Sequence, residues 1–270
     1  MPKTATQYDP VAHLERDAVK SIPKINKISV EDLMDVLAKG LNDFKHRSSH
    51  VLLLAIIYPI IGLLAARMTA GYDIIPLAFP IVSGFALLGP IAALGLYELS
   101  RRREKGMSLA WRHVFNICHS PAIGSISALG ILLTAIFLVW LVTALMLFNT
   151  LFGTTEITSI GVFIGQVLTT PAGWNLILIG CSVGFVFAVV VLAISVISFP
   201  MLLDKDISAA LAVQTSVKVV MTNPIPIAVW GTIVAGSMLI GSIPFFVGLC
   251  VVMPVLGHST WHLYRKVVAE

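Results

Sequence analysis

An all-α, polytopic membrane protein with six transmembrane helices and additional amphipathic interfacial helices is the fold class this sequence predicts. Three observations predict it. Hydrophobic residues form 57% of the chain and charged residues only 12%, with a mean hydropathy of +0.92; a soluble domain carries about a quarter charged residues. The charges are segregated, leaving long uncharged blocks from residue 123 onward. And a six-span threading puts every Lys and Arg of the 18 except Arg67 on one side of the membrane.

The spans follow in order. About twenty apolar residues cross a hydrocarbon core as helix, and such stretches are predicted at 51–68, 74–99, 123–148 and 176–203. The last uncharged block, 225–257, would rise about 50 Å as one helix, too long for a core of about 30 Å. Its "GSIP" at 241–244 is turn punctuation and splits it into spans five and six. The domain plan is therefore a cytoplasmic arm (1–49) with an amphipathic helix, a six-helix membrane domain (50–264) and a short cytoplasmic tail (265–270). The first 49 residues are too polar for a secretory signal, which needs an apolar centre near the N-terminus. With Lys and Arg retained on the cytoplasmic side, both termini are expected inside, in a bacterial inner membrane.

Between the spans lie segments that read as interfacial helices. Residues 108–119 put Trp111, Phe115 and Cys118 on one face. Residues 207–222 set Ala210, Val213, Val217 and Val220 opposite Ser208, Thr215, Lys218 and Thr222. Residues 157–168 are apolar at helical spacing and end at Pro171. In the arm, Ser29 and Asp32 form a capping-box-like start to a stripe of Leu33, Val36, Leu37, Leu41 and Phe44, expected to dock on helix ends or on a partner. Residues 1–28 are expected as a flexible tail.

Side-chain chemistry at the membrane surface gives a second set of expectations. Tyr97, Arg101, Arg102, Arg103, Lys105, Trp111, Arg112, Trp261, Tyr264, Arg265 and Lys266 are expected at the lipid headgroups, as an aromatic and basic belt. That placement accounts for the formal charge of +4 without nucleic acid. Small residues four apart, Gly161 with Gly165 and Gly180, Gly184 and Ala188, predict close helix packing with span four at the centre.

Catalytic and cofactor sites are not indicated. Cys118, Cys181 and Cys250 are widely spaced and form no CxxC pair. No HExxH motif is present. His258 and His262, four apart on one helix face, are the best arrangement for haem or metal, yet they adjoin Trp261 and Tyr264 near a span end, which favours an interfacial role. Polar groups within spans, such as Thr134, Thr143 and Ser195, are expected as interhelical hydrogen-bond partners.

The arm's "EDL…AKGLNDF", the first span and above all "GFALLGPIAALGLYELSRRREKG" at 84–106 resemble a bacterial integral-membrane family filed as a domain of unknown function. Its members are sometimes labelled cytochrome c oxidase subunit I-like. The resemblance implies a six-helix membrane protein with no established chemistry, and it implies a tryptophan where Leu41 stands. The functional expectation is a non-catalytic accessory, assembly or scaffold subunit of a larger membrane complex, without cofactor, whose partners are membrane lipids and other membrane subunits. The alternative expectation is a transporter or channel for a neutral or lipidic solute.

Overall fold

The computed structural model describes residues 22–46, 60, 75–108, 121–153 and 159–269. The first predicted span, apart from Ile60, lies outside them, as do Trp111, Arg112 and most of the 108–119 segment. The described residues are helical, with one isolated antiparallel bridge between Ile25 and Val268.

The arm forms α1 (Val30–His46), started by the expected capping box: Ser29 N–H donates to Asp32 Oδ2 at 2.7 Å, and Asp32 N–H donates to Ser29 Oγ at 3.2 Å. Glu31 and Asp32 occupy its first turn and Lys45 and His46 its last, matching the helix dipole. The second predicted span is discontinuous. It comprises α2 (Ala78–Phe85), α3 (Gly89–Ala92) and α4 (Leu94–Glu104), with short 3-10 turns before and after α2. Pro80 and Pro90 remove donors from this stretch, which is why the α-helical ladder does not run through it.

α5 (Ile123–Phe152) is continuous, and α6 (Ile160–Thr169) folds back against its far end through Phe148, Phe152 and Phe163. α7 (Pro171–Ser195) follows, capped by Thr170, whose hydroxyl accepts from Gly173 N–H at 3.0 Å. The chain then breaks at 196–197 and resumes as α8 (Ser198–Asp204). Pro200 lacks the N–H that a continuous helix would need there. Ser216, from α9 (Ala209–Thr222), repairs the break: its hydroxyl donates to Ala193 C=O at 2.7 Å and accepts from Ile197 N–H at 3.3 Å. α10 (Pro224–Ser242) and α11 (Leu249–Val267) form the last hairpin, its turn just beyond the predicted one, with Phe245 and Phe246 at positive φ.

Among the described residues, three helical runs are long and apolar enough to cross a membrane: α5, the α7–α8 run and α10. α11 is not one of them, because its second half is polar.

Packing is concentrated at the end of the molecule that carries the basic residues. There α1, α4, α8, α9, the start of α10 and the second half of α11 share one core, with Trp230, Phe199, Trp261 and Tyr264 nearly inaccessible. α1 runs antiparallel to α11, pairing Asp32 with Lys266 and Gly40 with Ser259. Residues 22–28, expected within a flexible tail, are held at this end. Asn26 N–H donates to Val267 C=O, Ala269 N–H donates to Lys24 C=O, and the Asn223 side chain bonds Ile28 N–H and Asn26 C=O.

Several packing expectations are corrected. Span four is peripheral: only 6% of its apolar window is buried. A β-carbon on Gly161, Gly165 or Gly180 would meet nothing, and Ala188 is exposed; of that set only Gly184 approaches a neighbour, the Trp140 ring. Thr134, Thr143 and Ser195 each donate to the carbonyl four residues earlier in their own helix, not across helices. In α9 the buried face is Leu211, Ala212, Thr215, Ser216 and Val219, so Thr215 lies inside rather than on the polar face; its hydroxyl is satisfied by Leu211 C=O.

Candidate functional site

The polar chemistry gathers where α1, α4 and α11 meet. α11 passes between the other two at close quarters. Gly40 of α1 faces Ser259, and Gly257 of α11 faces Leu96 of α4; both approaches leave no room for a β-carbon. These contacts fix the level at which Asp43, Ser100, His258 and His262 project toward one another.

Asp43 is the hub. Its carboxylate accepts from Ser100 Oγ at 2.7 Å, from Arg103 Nη1 at 2.5 Å and from His262 Nε2 at 3.0 Å. Ser100 Oγ also lies 2.7 Å from His258 Nδ1. The Ser100 hydrogen is directed to the carboxylate, so His258 Nδ1–H must donate to Ser100. The result is a directed chain from His258 through Ser100 to Asp43, with His258 2% exposed and its Nε2 unbonded among the described residues. Burial alone would raise the Asp43 pKa. Hydrogen bonds from His262 and Ser100 outweigh it and hold the carboxyl below its ordinary value.

A cleft of about 490 Å³ opens beside this hub, lined among others by Lys39, Asn42, Arg103, Glu104 and Arg265. Its cations are already matched: Lys39 with Asp35, Lys266 with Asp32 and Asp35, Arg265 with Glu104 and Asp204. The lysine contacts pull the Asp32 carboxyl down to about 2 and lower Asp35, while the same pairs raise Lys266.

Several of the residues expected at lipid headgroups are turned toward the protein's own core or carboxylates, while Trp111 and Arg112 lie outside the described residues. Tyr97 is buried in the core at 3% exposure. Arg101 and Arg102 fold back on buried Glu98, at 2.8 and 2.7 Å, and Arg103 reaches Asp43. Trp261 and Tyr264 are each 1% exposed: Trp261 Nε1–H donates to Glu104, and the Tyr264 hydroxyl donates to Asp204. Lys105 is exposed and also bonds Asp204. A basic cluster after an apolar run here answers buried carboxylates of the same chain. In the arm, Leu33 and Val36 are buried and Leu37 and Phe44 partly so, whereas Leu41 is exposed and lies off the docking face.

His258 and His262 are thus tied into a hydrogen-bonded clasp. Among the described residues no group of three His, Cys, Asp or Glu side chains converges as a metal site. Nor does the Ser100 arrangement match a nucleophile with its base. Its proton points at a carboxylate of lowered basicity, and the imidazole beside it presents an N–H. Asp43, Ser100 and Glu104 escaped the sequence reading. Asp43 left a signal, since it falls on the same helical face as Val36 and Gly40, where a charge needs a partner.

Residues 78–204 match a family described as predicted integral membrane protein (DUF2189). The match starts later and ends earlier than the resemblance from the arm onward had implied, and it does not carry the oxidase label. No curated protein and no solved structure matches the chain. The chain is an integral membrane protein with long apolar helices.

Proposed function

We propose that this protein is a non-catalytic scaffold or assembly subunit of a larger membrane complex, seated in a bacterial inner membrane with its packed polar end toward the cytoplasm. The observation that carries the reading is the state of α7. It is a long apolar helix with Trp174, Leu178, Phe185 and Val186 all more than half exposed, and only 6% of its apolar window is covered by its own chain. Such a flank suits lateral contact with other membrane helices, where packing and small residues such as Gly180 and Ala188 drive association. The polar groups at the other end point the same way, because Asp43, Glu104 and Asp204 are all engaged in holding this chain's own elements together.

Purification in mild detergent tests the reading. A stoichiometric membrane partner that is lost when Phe185 and Val186 are replaced by bulkier tryptophans supports it, and a partner-free monomer refutes it. A second reading, a pathway for a neutral or lipidic solute, draws on the broken helix α2–α4, since interrupted helices line many transporter sites. It requires a wet passage that reaches the midplane beside α3.

A further inference from the structure

We infer that the α10–α11 hairpin is re-entrant: it dips about halfway into the hydrocarbon from the polar end and returns, its tip resting among acyl chains. The inference concerns the membrane's contact with one element and stands independently of the scaffold reading.

Three observations converge on it. The first is length measured from a shared level. At Gly231, α10 meets Leu192 of α7 so closely that a β-carbon there would lie 2.9 Å from the leucine methyl. From that level α7 continues to Pro171, about 31 Å of helix, which matches a hydrocarbon core of about 30 Å. α10, long enough on its own to cross, has its first seven residues on the polar side of that level, where Ile227 and Trp230 are buried, and ends at Ser242 about 16 Å beyond it. On the return strand of the hairpin, Leu249 to His258 covers about 14 Å before the clasp with Ser100 and Asp43 begins. The rest of α11 lies at the polar level, where Trp261, His262 and Tyr264 bond Glu104, Asp43 and Asp204.

The second is the tip's surface. Leu239, Ile240, Ile243, Phe245 and Val247 are between 60% and 79% exposed. Between Leu239 and Val251 no side chain is charged, and the one hydroxyl, Ser242, donates to Met238 C=O at 2.8 Å. A turn that emerged into water on the far side would have no reason to be free of polar groups.

The third is the backbone. Irregular chain is tolerated at membrane depth only if its polar groups are satisfied internally. The N–H groups of Ile243, Phe245, Phe246, Val247, Leu249 and Cys250 each donate to a carbonyl of the hairpin itself, at 2.9 to 3.3 Å, leaving only the Gly248 N–H of the turn without such a bond among the described residues. Pro244 has none to satisfy.

Site-directed labelling tests the inference. With Cys118, Cys181 and Cys250 replaced by serine or alanine, single cysteines are placed as Phe245→Cys, Val247→Cys, Lys105→Cys and Gly153→Cys in full-length protein in sealed vesicles. A membrane-impermeant maleimide should label Lys105→Cys from one face and Gly153→Cys from the other, and neither tip variant until the membrane is dissolved. A nitroxide on either tip cysteine should then relax strongly with oxygen and weakly with a water-soluble nickel chelate. Tip labelling on the Gly153 side would show a crossing hairpin, and labelling on the Lys105 side a hairpin in water. A nitroxide insensitive to both relaxants would place the tip inside protein. Each of these three results overturns the proposal. Using two adjacent tip positions guards against one variant failing to fold.

Discussion

Gly40 lies directly against Ser259: a β-carbon built at position 40 would stand 2.7 Å from the Ser259 backbone nitrogen. Glycine in a helix interior normally costs about 1 kcal/mol relative to alanine. Here it permits the antiparallel contact of α1 with α11, the most extensive helix pairing among the described residues. Gly40→Ala should therefore destabilise by about 1–3 kcal/mol, the usual range for overpacking, despite its gain in propensity. Thermal unfolding in detergent should show the drop, whereas Gly180→Ala, with open space around it, should leave the midpoint unchanged or raised.

Asp43→Asn keeps the shape of the hub but removes its charge. Arg103 and His262 would then face a neutral amide in a site where the Asp43 side chain is 8% exposed. Breaking a buried charged contact commonly costs about 3 kcal/mol or more. The arm should loosen, and limited proteolysis should cut before Val51 faster than in the unaltered protein. An unchanged cleavage rate would show that Asp43 does not hold the arm.

The same hub sets a pH dependence. The folded pKa of Asp43 is lowered, so its stabilisation is fully present above the unfolded carboxylate value of about 3.9 and lost as pH falls through the folded value. Asp32 and Asp35 act with the same sign. Stability attributable to these three carboxylates should be flat from neutral pH to about pH 5 and fall below about pH 4. In Asp43→Asn part of that acid-side loss should be missing from a melting series across pH.

Ser216 bridges the break between α7 and α8 with two hydrogen bonds, and it is fully buried. Ser216→Ala leaves the Ile197 N–H and Ala193 C=O without that partner, which should cost about 1–3 kcal/mol. Ser182→Ala removes an exposed bond within one helix and should change the melting temperature little.

How much of this was legible in the sequence depends on what each signal measures. Hydropathy reports transfer from water, so it located α5, α7 and the α10–α11 hairpin well. It is blind to whether an apolar face meets lipid or protein, so it predicts a central span four although Phe185 and Val186 face outward. Charge segregation placed Arg101, Arg102 and Arg103 at one end of the molecule, but a count of charges does not say which way side chains turn. The carboxylates they serve, Glu98 and Asp43, stand in the sequence only as isolated acids. The capping box at Ser29 and Asp32 was readable because it is local. The chain from His258 through Ser100 to Asp43 joins three elements far apart in sequence, and no spacing within one helix encodes it.

Ile25 and Val268, bridged to each other at the packed polar end, must lie on one face of the membrane. A reporter that folds only in an oxidising periplasm, fused in turn to each terminus and inserted after Gly153, tests it most directly. The account predicts silence from both termini and activity from the Gly153 insertion. Activity from one terminus alone would separate Ile25 from Val268 by a membrane and contradict it.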